Sequence, residues 1–360
     1  MKNTFGNNIS VTLFGESHSK GIGVVIDGLP SGMPVDEEFI GKMLMRRRPS
    51  GAISTARREA DEYVIQSGVF GGFTTGTPIC ITIPNNDTKA KDYDAFHGKA
   101  RPGHADYTAH IRYGGFEDYR GGGHFSGRIT AALVAAGAIL ISALEEKGIY
   151  IGTHIAELSG IEDAALENSA DAIEQLHKAA FPVVDTEKGI MMQEAILVAG
   201  REGDSVGGIL ETVIVGLPAG LGEPFFDSVE SQLAHMAFSI PAVKGVEFGA
   251  GFGVADMKGS ENNDQMRIEN GKVVTLTNNA GGINGGITNG MPVTFRCALK
   301  PTPSIAKPQS TIDFINNENT QIVVGGRHDP CVLHRAAPVM EAAAAIVIFD
   351  ILCGKNEASR

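Results

Sequence analysis

Two short motifs occur twice in this chain in the same order, and that echo restricts its possible folds more than any other feature. Gly28-Leu29-Pro30-Ser31-Gly32 reappears as Gly216-Leu217-Pro218-Ala219-Gly220, each time after a β-branched run. Each copy is followed by a proline, Pro34 or Pro224, and by an Asp-led helix signal. Later, Gly71–Ile79 (GGFTTGTPI) reappears as Gly285–Val293 (GGITNGMPV), again leading into a strand. A single Gly/Pro match would be chance. Two matches in order suggest a duplication pairing about 8–83 with 206–298, with a site between the halves.

The remaining patterning fits mixed α and β structure. Ile9–Phe14, Gly23–Asp27, Val64–Phe70, Thr77–Ile83, Ile149–Glu157 and Glu194–Gly200 read as strands. Helices are predicted from Asp36 to the triplet Arg46-Arg47-Arg48, over about Gly127–Lys147 and Ala165–Ala180, and from about Arg335 to Cys353. A net charge of −12 over 360 residues argues against a nucleic-acid surface and makes local basic clusters informative. Cys80, Cys297, Cys331 and Cys353 have no paired spacing, as expected of free thiols in a reducing cytoplasm. The apolar run Ile129–Leu144 is too short to span a bilayer, so no membrane segment is expected.

Chemistry concentrates in Arg101–Thr130, which holds four arginines, three histidines and seven glycines. Arginine offers a planar fork for carboxylate and phosphate oxygens, histidine exchanges protons near neutral pH, and glycine admits close backbone approach. This combination predicts a site for a multiply anionic ligand. His18 lies in a Gly/Ser turn, and His104 lies within reach of Arg101 and Asp106. Arg57 and Arg58 add positive charge after the triplet. A glycine loop (Asn278–Gly286), the segment KPTPSI from Lys300, and GGRHDP (Gly325–Pro330) complete the candidates.

A metal site at His104, Asp106 and His110 is the weaker reading, because nearby arginines would repel a cation and no second cluster has zinc spacing. A serine-hydrolase elbow and the standard nucleotide-binding motifs are missing from the sequence. The residues suit proton transfer with loss or transfer of an anionic group, using a phosphate-bearing cofactor. A flavin-free transferase acting on a phosphorylated sugar acid, and a non-enzymatic anion-binding regulator, stay open at this level.

GESHSKGIGVVIDGLP, RPGHADYT, YRGGGHFSGRIT, SIPAVKGVEFGAGF, NNAGGINGGITNG, KPTPSI and GRHDPC, in this order from Phe14 to about Ala342, resemble the chorismate synthase family. The resemblance implies an α+β fold, a β-α-β sandwich with internal pseudo-duplication, as one domain over residues 1–360. It also implies a cytoplasmic homotetramer. The implied reaction is anti-1,4-elimination of phosphate from 5-enolpyruvylshikimate 3-phosphate with reduced FMN, closing the shikimate pathway. Whether NADPH reduces that flavin on this chain is left open.

By the same resemblance, His18 protonates the departing phosphate, His104 serves the reduced flavin, and Asp329 assists removal of the substrate proton. Arg47, Arg48, Ser126, Arg128 and Arg327 are implied substrate contacts, with Arg47 also implied at NADPH. The implied FMN contacts are His124, Phe125, Ser126, Ala242, Gly285, Arg327 and the run Lys300, Pro301, Thr302, Pro303, Ser304. Many family members read Arg-Ser-Ser-Ala-Arg where this chain has His124-Phe125-Ser126-Gly127-Arg128, and Ile53 stands near a place where many carry arginine.

Overall fold

Alternating burial along the strands builds two one-sided sheets. Ile79, Ile81 and Ile83 turn inward from strand Ile79–Pro84, as do Val293, Phe295, Cys297 and Leu299 from strand Val293–Leu299. The structure, a computed structural model, describes residues 2–49, 51–54, 60–86, 97–325 and 328–358. In the first sheet the strands run Thr4–Phe5, Ser10–Gly15, Gly21–Asp27, Ile79–Pro84, Val64–Ser67 in spatial order. The second runs Ile161–Glu162, Tyr150–Leu158, Gly208–Val215, Val293–Leu299, Val243–Phe248. Every neighbouring pair in both is antiparallel. The helices Glu37–Arg47, Thr130–Glu145, Val229–Ser239 and Leu333–Ala358 lie between the sheets, and buried side chains of all these layers form one continuous cluster. This is the expected β-α-β sandwich.

The strand orders correspond. Gly21–Asp27 and Gly208–Val215 hold the same place, each followed by the Gly-Leu-Pro turn and then by a helix. The echoed motifs make the same hydrogen bonds. Thr74 Oγ1 donates to Pro30 O at 2.6 Å and accepts from Met33 N at 2.9 Å. Thr288 Oγ1 donates to Pro218 O at 2.7 Å and accepts from Leu221 N at 2.9 Å. The backbone of each threonine accepts from a turn glycine, Gly32 or Gly220, at 2.8 Å in both halves. Gly71-Gly72 and Gly285-Gly286 are the two-residue turns of matching small hairpins, all four with positive φ.

The middle layer is unusually small-chained where it is tightest. Gly137 of Thr130–Glu145 abuts Ala342 of Leu333–Ala358, and a Cβ at Gly137 would lie 2.3 Å from that of Ala342. Counted with its lead-in turn as Gly127–Glu145, the first helix is longer than the apolar run read from sequence; it and Leu333–Gly354 are long and apolar enough to cross a membrane by length and composition, and both are mostly buried.

Two expectations need correction, and one segment holds an element that was not predicted. Glu194–Gly200 belongs to the helix Thr186–Arg201, whose buried positions Gly189, Met192, Ile196 and Ala199 follow helical spacing behind an Asp185 cap. The β-branched run there masked that period. The single strand predicted over Val64–Phe70 is broken at Gly68, where φ is +83° and a Cβ would meet Ile79 Cα at 2.6 Å. Finally, Arg101–Thr130 contains a short helix, Asp106–Tyr113, whose sole buried residue is Ala109. It carried no apolar signal because it has almost no apolar face.

Candidate active site

The arginine triplet ends a helix, and its three side chains diverge. Arg46 turns inward and forms a two-pronged ion pair with buried Glu341, at 2.5 and 2.9 Å. Arg47, also buried, donates from Nε to Thr130 Oγ1 at 2.9 Å, from Nη2 to Gly127 O at 2.8 Å, and from Nη1 to Asp61 at 3.2 Å. Arg48 Nε lies 3.9 Å from the same carboxylate. Asp61 also receives a short hydrogen bond from Arg128, whose other nitrogens bind Asn85 Oδ1 at 3.0 Å and Pro84 O at 3.1 Å.

These groups form one wall of a cavity of about 680 Å³, within the range of small-ligand sites. Arg47, Asp61, His104, His124, Phe125, Ser126 and Arg128 line it from the first part of the chain. Ala242, Lys300, Thr302, Pro303, Ser304 and Asp329 line it from the second, with Met236, Phe238 and Ile240 adding apolar surface. His18, Arg48, Pro301 and Gly285 are not among the lining residues. Ile53 is buried in the core. Arg57, Arg58 and Arg327 fall outside the described residues.

His104 is gripped by its own sequence neighbours. Asp106 Oδ1 is 2.7 Å from its Nδ1, and Arg101 binds both oxygens of Asp106, at 2.7 and 2.8 Å. The Arg101 guanidinium also comes within 3.1 Å of His104 Nδ1. The closer carboxylate assigns a proton to Nδ1, leaving Nε2 for chemistry. Burial alone would raise the Asp106 carboxyl, but hydrogen bonds from Arg101 and His104 outweigh it and hold the group far below the usual carboxylate range.

His18 is buried with Nδ1 on Ser17 Oγ at 2.9 Å; it lies against Gly121, which lines the cavity, and is not itself a lining residue. A Cβ at Gly121 would lie 2.3 Å from His18 Cε1, and one at Gly122 would lie 3.0 Å from His104. The chain therefore needs glycine at both positions to thread between two imidazoles, and both have positive φ. His110 pairs with Glu117 at 3.1 Å and packs on Phe314. His124 Nδ1 contacts Gly15 O at 2.8 Å, Phe125 meets Tyr113 edge-on, and Ser126 Oγ accepts from Arg128 N at 3.3 Å.

Across the cavity, Arg335 donates a short hydrogen bond to Asp329 and a second, 3.0 Å long, to Arg47 O. Arg335 therefore ties the Asp329 carboxylate to the arginine segment, although in the sequence it reads as one more residue of an apolar helix. Lys244, also missed, lines the cavity beside Lys300. Burial, with Lys244 as second cause, pulls Lys300 below the ordinary lysine range, and Lys300 Nζ donates to Gly103 O. Ala242 has φ of +79°, a left-handed conformation rare for a residue with a Cβ and found preferentially at functional sites.

A family model for chorismate synthase matches residues 9–353. A chorismate synthase of Pyrococcus abyssi is 49% identical over 348 residues, 96% of each chain. One of Methanosarcina barkeri is 47% identical over 349 residues, covering 97% of this chain and 95% of its own. A crystal structure of chorismate synthase superposes with a TM-score of 0.77 at 30% identity, covering 98% of this chain and 93% of that one. The chain belongs to the chorismate synthase family.

Proposed function

We propose that this chain makes chorismate in the cavity described above, by removing phosphate and the C6 proton from 5-enolpyruvylshikimate 3-phosphate with reduced FMN bound alongside. Chorismate synthesis, the last step of the shikimate pathway, is the activity of its family. The observation that carries the site assignment is the meeting in one cavity of His104, Asp329, Lys300 and two arginines drawn from distant parts of the chain.

The residues present suit a flavin mononucleotide. Thr302 Oγ1 is buried at the cavity wall without a hydrogen-bond partner among the described residues. A hydroxyl so placed suits a phosphate or ring oxygen. Lys300 supplies positive charge beside it, and Met236, Phe238 and Ile240 supply an apolar surface for a planar ring. Reduced FMN, when bound, supplies the electron-rich ring that allows the elimination without net redox change.

The chain's own groups do the rest. Arg47, Arg128 and Lys300 attract a substrate carrying two carboxylates and a phosphate. His104, with Nδ1 committed to Asp106, presents Nε2 beside Gly122 as the proton-holding atom. Asp329, held by Arg335, is the carboxylate that assists removal of the C6 proton. His18, behind Gly121, holds a proton for the departing phosphate. Arg48, Ser126 and Arg327 remain assigned to substrate, with Arg47 shared with NADPH. His124, Phe125, Ala242, Gly285 and the Lys300–Ser304 run, including Pro301, remain assigned to flavin, with Arg327 in both sets. We assign one domain built by duplication of about 8–83 and 206–298, on the matched strand orders and threonine anchors. A cytoplasmic homotetramer completes the reading; Phe225, Phe226 and Phe252, all above 80% exposed, offer apolar contact surface.

The test is an anaerobic assay for chorismate with and without reduced FMN. Chorismate should form only with the reduced cofactor. Turnover without flavin would favour the flavin-free alternative, and binding without turnover the non-enzymatic one. NADPH oxidation in the same anaerobic mixture with FMN would assign the reductant.

A further inference from the structure

We propose that Asp61 is a specificity-determining residue, whose carboxylate holds between Arg47 and Arg128 the place that a ligand carboxylate or phosphate takes on binding. This rests on the cavity receiving a multiply anionic substrate.

Three observations carry it. Asp61 lines the cavity, yet its side chain is 1% exposed because the arginines enclose it. Its two oxygens are divided between the arginines, Oδ2 facing Arg47 at 3.2 Å and Oδ1 facing Arg128. Both guanidinia have further anchors in neutral acceptors: Thr130 Oγ1 and Gly127 O for Arg47, Asn85 Oδ1 and Pro84 O for Arg128. Their positions therefore do not rest on Asp61 alone.

Two buried guanidinia need a counter-charge, since an uncompensated buried charge is strongly unfavourable. In the free protein Asp61 supplies it. A ligand anion entering the same place cannot share it, because like charges at such distances repel strongly in a medium less polar than water. It must displace the aspartate, and on doing so inherits preplaced donors. A neutral analogue has no means of making this exchange, so the carboxylate rejects it. The cost of displacing Asp61 falls on every ligand, but an anion alone recovers it.

Asp61→Asn removes the competitor while keeping its shape. Thermal unfolding and calorimetric titration with 5-enolpyruvylshikimate 3-phosphate, and separately with inorganic phosphate, should show a variant less stable alone but binding at least one of these anions roughly tenfold tighter than wild type. Its ligand-induced rise in melting temperature should exceed that of wild type. Equal or weaker binding of both anions would overturn the proposal and make Asp61 a fixed structural clamp. If the variant does not fold, a crystal structure of the wild-type protein with substrate decides. Asp61 parted from Arg128 supports the exchange, and an intact pair beside bound substrate rejects it. Either failure leaves chorismate formation by the wild-type enzyme untouched, whereas a wrong functional reading would show in the wild-type assay itself.

Discussion

The helix Glu37–Arg47 of the first half and the helix Val229–Ser239 of the second follow equivalent strands, and both end at the cavity. The first ends in basic residues capped at Arg48, with Arg47 in the cavity wall. The second ends in Phe238 and Ser239, then passes through Ile240 to the left-handed Ala242. One frame thus delivers a charged wall and, by the same turn of chain, an apolar one. The hydrogen bonds that fix each frame, from Thr74 and Thr288, lie away from the cavity and are alike. The two helices differ in residue type where they finish, Arg46-Arg47-Arg48 in one and Phe238-Ser239 in the other.

That division can be broken by experiment. The largest effect should come from the charged side: His104→Ala should keep the fold but lower kcat by roughly 10²–10⁴-fold, the usual contribution of a positioned proton-transfer group. Near-normal single-turnover chorismate formation with chemically reduced FMN would remove His104 from the mechanism. A smaller and symmetrical effect is expected of the frame. Thr74→Ala and Thr288→Ala should each lower unfolding free energy by about 1–3 kcal/mol, since each strips two buried hydrogen bonds from a turn. Denaturant titrations giving a large cost for one and none for the other would end the equivalence.

Smallest, and most discriminating, is the glycine pair. Gly71 and Gly285 have φ of +59° and +64°, and a Cβ at either meets nothing within 4 Å. Alanine at each should cost about 1 kcal/mol through backbone strain alone. If Gly285→Ala also weakens FMN binding while Gly71→Ala does not, the flavin role implied for Gly285 stands beyond its place in the turn. Equal behaviour of the two in a flavin titration would reduce Gly285 to a hairpin residue.

Much of the frame was legible because its signals are local. Alternating isoleucines mark a one-sided strand, an aspartate before an apolar-periodic run marks a cap, and the echoed threonine motifs stand out even at a distance. Asp36 does cap the first helix, accepting from Phe39 N at 2.9 Å. What failed was local evidence with two meanings. The run Ala195–Val198 is as acceptable in a helix as in a strand, and Asp185, nine residues before Glu194, decided it. The site was legible as a set of residue types, but its wiring was not. Asp61 looked like one acid in the charged stretch RREADE, and nothing nearby in sequence tells that Arg128 lies against it. Arg335 was hidden among alanines, because its partners Asp329 and Arg47 are joined only by the packing of a core helix on the arginine segment. Asp61 and Arg128 are 67 residues apart and Arg335 and Arg47 are 288 apart, and pairings at such separations are set by topology.

The close crossing of Gly137 on Ala342 has a consequence for the chemistry some distance away. Thr130, which receives the Arg47 hydrogen bond, begins one of these helices; Arg335, which holds Asp329, stands in the first turn of the other. Gly137 and Ala342 are each seven residues from those groups, about 10 Å along the axis at 1.5 Å per residue. The pair acts as the pivot of a pair of shears whose tips carry the arginine anchor and the carboxylate. A methyl group added at Gly137 would push the two helices apart at this crossing, so the spacing of Thr130 from Arg335 depends on the small bulk of two residues that do not line the cavity.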